Sequence, residues 1–203
     1  MEIKERIIEE AALMFRTYGI RAVTMDMLAS QMGISKRTIY ENFVDKDELL
    51  EGVIYWMASK QKEMFESILD ESENVIEAVF RLFEIMSEHF RNMSPAFRLD
   101  MEKSHQMIIK RMHEKGDVPY RHDNTEMLKR GVKEGIFRKE LSIEMTDKCL
   151  SEVMRMSTDK EAIKSPDADK TEIFRNFYIN YLRGISTPKG LELIDFYEKK
   201  YKR

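Results

Sequence analysis

What the chain lacks narrows its nature before any motif is read. It holds one cysteine, Cys149, so it has no internal disulfide, which fits a reducing compartment. Eight glycines and four prolines in 203 residues are too few for a fold of many strands and turns; the scarcity favours long helices. No long uncharged apolar run is present, and even Val75 to Phe83 is interrupted by Glu77 and Arg81. A spanning helix needs about 20 predominantly apolar residues, so no membrane contact is expected. The opening MEIKERIIEEAALMF carries acids and bases before its apolar residues, unlike the basic start and apolar centre of a signal peptide. The expectation is a cytoplasmic protein.

Catalytic and metal signatures are missing too. There is no Walker loop, dinucleotide glycine motif or nucleophile elbow. His89, His105, His113 and His122 never pair at the i, i+4 spacing, with a glutamate, that a zinc helix uses. No catalytic residue, cofactor or metal is expected, and the chain does not read as an enzyme. A surplus of basic charge is also absent. The formal net charge is −3, and the first fifty residues hold seven bases against nine acids. Any nucleic-acid surface must therefore depend on where the bases sit, not on their number.

What is present is helical periodicity. Ile3, Ile7, Ala11, Met14, Phe15 and Tyr18 recur at three- and four-residue steps, predicting a first helix from Glu2 to Tyr18 that Gly19 ends. Thr24 is placed to cap a short second helix through Met32, Gly33-Ile34 to turn, and Ser35 to cap a third helix to about Phe43. Asp45 with Glu48 forms a capping-box arrangement for a fourth helix to about Leu69. Val75, Ile76, Val79, Phe80, Phe83, Met86, His89 and Phe90 make a wide apolar face. Ser94-Pro95 reads as a cap with proline at the first helical position. Helical segments follow around Met107 to Met112 and Met127 to Val132. From Ser142 another begins, with Met145, Cys149, Leu150, Val153 and Met154 on one face and Cys149 expected to be buried. Thr158 to Lys170 reads as a loop. The stripe Ile173, Phe174, Phe177, Tyr178, Tyr181, Leu182 is broken by Gly184 and Pro188, and Leu191, Ile194 and Tyr197 mark a short last helix.

The block VTMDMLASQMGISKRTIYENFVDKDELL, Val23 to Leu50, concentrates the chemistry. Two short helices about a glycine turn are a helix-turn-helix pattern. With Leu28, Ala29, Ile34, Ile39 and Phe43 buried, Ser35, Lys36, Arg37, Thr38 and Tyr40 face out. Arg37 suits a bidentate contact to guanine O6 and N7, and Thr38 a thymine methyl or a phosphate. Tyr40 presents a hydroxyl on a rigid arm. Lys46 and Thr24 stand at helix starts, where free N–H groups favour an anion.

The run Thr24, Leu28-Ala29, Gly33-Ile34-Ser35, Thr38-Ile39-Tyr40, Phe43, Lys46, Leu49 resembles the signature of the tetracycline-repressor (TetR) family of bacterial transcription regulators, over roughly Ile7 to Leu50. Gly131, Gly135-Ile136-Phe137-Arg138 is similar to the entry of that family's penultimate long helix. The resemblance implies an all-α protein: a three-helix helix-turn-helix DNA-binding domain, residues 1–46, and a larger helical ligand-binding and dimerisation domain, residues 47–203. It implies phosphate contacts from Thr24, Tyr40 and Lys46, and base contacts from Lys36, Arg37 and Thr38. Lys36-Arg37 departs from the small residue that many members carry there. The last two long helices would form a homodimer interface, through Leu150, Val153, Phe174, Phe177, Tyr178 and Tyr181. Aromatic enrichment also favours an interface on the latter stripe.

Methionines and aromatics of the central region, Met64, Phe83, Met86, Phe90, Met101 and Met107, are candidates for an adaptable pocket for a small apolar or amphipathic ligand. Ordinary core packing fits the same pattern. The function expected is a regulator, a repressor released by a ligand from a palindromic double-stranded DNA operator. The alternative is a helical protein-interaction module without sequence-specific DNA binding.

Overall fold

The computed structural model describes residues 2–101, 108, 112, 124–158 and 170–201. The side chains of Phe90, Val153 and Phe174, and all of Met107, lie outside the described set, as does most of the expected loop from Thr158 to Lys170. The helices are α1 (Ile3–Tyr18), α2 (Met25–Met32), α3 (Lys36–Asn42), α4 (Lys46–Glu71) and α5 (Val75–Arg91). A described helical stretch over 95–101 is α6. Then come α7 (Thr125–Lys133), α8 (Ile143–Thr158), α9 (Lys170–Ile185) and α10 (Pro188–Lys200). Among the described residues there is no strand, only an isolated antiparallel bridge between Phe137 and Ser186. The chain is all-α.

Packing divides it into two compact units, Met1–Glu63 with His89–Tyr120, and Met64–Glu88 with Arg121–Arg203. This line differs from the division expected after residue 46. Leu49, Leu50, Val53 and Ile54 of α4 and Phe97 of α6 share one core with α1, α2 and α3.

In the first unit, the α1 stripe Ile7, Ala11, Met14 and Phe15 is buried against Leu28 and Ala29 of α2, Ile39 of α3 and Phe43. Burying a side chain such as Ile39 contributes roughly 1.5–3 kcal/mol, enough to seat a helix as short as α3. Gly33 ends α2 in the left-handed region, φ 65°. Its amide and that of Ile34 return to the carbonyls of Ala29 and Ser30, a closure that glycine makes without steric cost. At the start of α4 the Asp45 carboxylate accepts from the Glu48 amide at 2.8 Å, while Glu48 reaches back to the Val44 amide at 2.6 Å. The capping box is thus shifted by one residue on its return bond.

The second unit has its own core, drawn from α5, α7, α8, α9, α10 and the end of α4. Its loop after α7 and the α9–α10 junction are stitched together. Arg138 donates its amide to Ile185, and Thr187 its amide to Ile136. Two expectations are corrected here. Gly184 does not break α9; buried Leu182 and Ile185 flank it and carry the helix on to Ile185. The break falls at Thr187, whose hydroxyl accepts from the Gly190 amide to cap α10 with Pro188 at its first position. Cys149 is exposed, because its neighbour Leu150 takes the inward direction. Leu150 and Tyr178 are enclosed by their own chain, at 0% and 6% exposure. Phe177 is exposed and Tyr181 half-buried.

Candidate nucleic-acid interface

The site begins with two caps. Thr24 Oγ1 accepts from the Met27 amide, and Ser35 Oγ from the Thr38 amide, each at 3.1 Å. Both hydroxyls satisfy amides that a helix start leaves without a partner. Each cap fixes where its helix begins, and hence which residues face inward. Ile39 is fully buried, which turns Lys36, Arg37 and Tyr40 to the exposed side of α3. Thr38 is half-buried, and its hydroxyl lies 2.8 Å from that of Ser35.

Charge on this surface is internally balanced. Lys36 Nζ donates to Asp26 of α2 at 2.7 Å and sits 5.9 Å from the centre of the Tyr40 ring. The hydrogen bond to Asp26 raises the Lys36 pKa above its ordinary value. Arg37 donates through Nε to Glu41, one turn on, at 2.9 Å. Lys46 is turned inward. Its ammonium donates to the Val23 carbonyl and lies over the Phe15 ring at 5.9 Å, and burial pushes its pKa down.

The structure therefore gathers Ser35, Lys36, Arg37, Thr38 and Tyr40 at one short helix, with Thr24 at the neighbouring helix start, and holds Lys46 on an internal carbonyl. Sequence reasoning passed over Asp26 and Glu41. The i, i+4 spacing of Arg37 and Glu41 was a usable signal; the ten-residue gap from Asp26 to Lys36 was not.

Phe83 is buried in the second core with Met64 against it, Met86 is half-buried, and Met101 packs on the first core. Phe83 meets Phe80 and Tyr178 edge-on, an ordinary core arrangement. Among the described residues no group of His, Cys, Asp or Glu is placed to hold a metal ion, and no helix is long and apolar enough to cross a membrane.

Residues 7–53 match the model of the bacterial regulatory proteins of the tetR family. An uncharacterized helix-turn-helix-type transcriptional regulator of Bacillus subtilis, YhgD, is 28% identical over 57% of this chain and 54% of its own length. The chain thus spans about half of that relative. The helix-turn-helix-type transcriptional repressor KstR2 of Mycobacterium tuberculosis is 26% identical over 68% of this chain and 71% of its own. Among solved structures, the TetR-family repressor FadR of Thermus thermophilus, in complex with lauroyl-CoA, superposes with a TM-score of 0.59. That likeness covers 89% of this chain and 94% of that one at 20% identity, and bears on the fold.

Proposed function

We propose that this chain, whose residues 7–53 match the model of the tetR family of bacterial regulatory proteins, is a member of that family and a DNA-binding transcription regulator, a repressor released from a palindromic operator by a small-molecule ligand. The observation that carries the reading is the capped α2–Gly33–α3 unit. Its apolar residues are sunk into the first core while Lys36, Arg37 and Tyr40 stand out from a single seven-residue helix. Such a helix enters a major groove, where its first residues meet base edges. Arg37 is the candidate for guanine, Lys36 and Thr38 for neighbouring bases, and Tyr40, Thr24 and Ser35 for phosphates. Lys46 joins them only by leaving the Val23 carbonyl.

Two copies of the chain present two such helices to two half-sites. In the second unit Met64, Phe83 and Met86 are the candidates to meet an apolar or amphipathic ligand. That ligand shifts the regulator only by its difference in affinity between two states. The naming of KstR2 as a repressor supports repression over activation.

Selection of bound fragments from a random duplex pool, followed by binding at several salt concentrations, tests the reading. A palindromic consensus is expected. Tyr40→Ala is expected to weaken binding roughly evenly across sequences while leaving the salt slope unchanged, because a neutral hydroxyl on a phosphate displaces no counterion. No enrichment, with wild type and variant binding alike and weakly, overturns it in favour of a protein-binding face.

A further inference from the structure

The helix-turn-helix segment from Thr24 to Lys46 contains three cations, Lys36, Arg37 and Lys46, and three carboxylates, Asp26, Glu41 and Asp45. Each cation is engaged within the chain: Lys36 by Asp26, Arg37 by Glu41, and Lys46 by the Val23 carbonyl. A surface of this kind approaches DNA with little net attraction, whereas sequence-independent affinity comes from cations that displace counterions from phosphates.

We propose that Asp26 and Glu41 are positioning residues for sequence readout, holding Lys36 and Arg37 in place while cancelling the charge that would otherwise add to non-specific binding. The inference rests on the reading of α3 as the base-reading helix.

The bond to Glu41 engages Arg37 through Nε. It leaves the two terminal amino groups, Nη1 and Nη2, for the paired acceptors O6 and N7 of a guanine. A guanidinium gripped at one edge keeps its plane, so fewer orientations are lost when the base is met. Lys36 is held across helices, from α3 to Asp26 in the first turn of α2. Its ammonium is thereby kept near the Tyr40 ring and drawn away from a free search for phosphates. All four side chains are accessible, with Arg37 at 87% and Asp26 at 67% exposure. A base edge or phosphate therefore competes with the carboxylates directly. Carboxylates on a DNA-facing helix repel every phosphate alike, and only the correct bases compensate for them.

The test uses the full-length protein, the selected duplex and a scrambled duplex of equal length, with wild type, Asp26→Asn and Glu41→Gln. Each variant removes one negative charge and nearly no volume. On the scrambled duplex, each is expected to bind more tightly and to steepen the slope of log affinity against log salt by about 0.9. The ratio of selected to scrambled affinity is expected to fall about tenfold, near the low end of what one bidentate contact contributes. Glu41→Asp keeps the charge and is expected to retain the wild-type salt slope. Unchanged thermal midpoints separate these effects from a loss of folding. Wild type that discriminates, with variants whose slope and ratio do not move, overturns the inference and leaves α3 as the DNA surface. Wild type that prefers neither duplex overturns the underlying reading, and the inference with it.

Discussion

At the scale of single residues, the second core fixes its tolerance by contact. A Cβ built on Gly131 would lie 2.2 Å and 2.4 Å from ring carbons of Phe137, a fully buried side chain. Gly131→Ala therefore overpacks the site and is expected to cost about 1–3 kcal/mol, read as a fall in the denaturant midpoint at unchanged slope. Tyr178 makes a pH prediction. Burial first, and the Asp147 charge second, raise its pKa above the ordinary tyrosine value. A folded pKa above the unfolded one contributes stability that is complete below about pH 10 and is lost as pH rises further. The thermal midpoint is expected to fall above about pH 10, with part of the tyrosinate absorbance appearing only as the chain unfolds. Full titration of every tyrosine in an intact fold would contradict this. Residues whose role is local were legible in the sequence, as Thr24 and Ser35 were as caps. Cys149 was not, because its apolar surroundings in sequence said nothing about which of Cys149 and Leu150 turns inward.

Between elements, the link from α6 to the loop after α1 is polar as well as apolar. Asp100 of α6 is buried, and its carboxylate accepts from the Arg21 amide at 2.8 Å. The Arg21 side chain is largely exposed at 3.4 Å from the same carboxylate, so that ion pair adds little. Close approach is possible because Gly19, at φ 91°, carries no side chain. A Cβ there would stand 2.9 Å from the Ala96 methyl and 3.1 Å from Asp100. The Ser94 amide adds a bond to the Arg16 carbonyl at 3.3 Å. Asp100→Ala leaves a backbone amide without its acceptor and is expected to cost about 1–3 kcal/mol. Asp100→Asn retains an acceptor oxygen and is expected to recover most of that in chemical denaturation. Equal losses in the two variants would show that charge, not the hydrogen bond, holds the loop. Element positions were largely readable, since caps and three- and four-residue steps are local. Asp100 was not, because its partner lies 79 residues away and nothing in its own neighbourhood points there.

At the scale of the whole molecule, the length of α3 sets the requirement. Seven residues at about 1.5 Å of rise make a helix of only about 10 Å, which reaches few base pairs. On the proposed reading, discrimination against a genome needs more contacts than one such helix supplies, and a two-fold pair reading half-sites about 34–36 Å apart would provide them. A pair needs an outward apolar face, and periodicity alone could not choose it. In the stripe from Ile173 to Leu182, the described Tyr178 and Leu182 are enclosed and Phe177 is outside, at 53% exposure. Met145 of α8 is likewise outside, at 59%. An aromatic of this kind suits the centre of an interface, where truncating one anchor commonly costs about 2 kcal/mol or more. Phe177→Glu, which adds a charge as well, is expected to shift sedimentation toward the monomer. Operator binding should then weaken by more than about tenfold and become steeply dependent on protein concentration. The thermal midpoint measured at high dilution should change little, because the Phe177 ring is not part of either core. A variant that still sediments as the wild type does, and binds DNA as tightly, would place the contact between copies on another face of the chain.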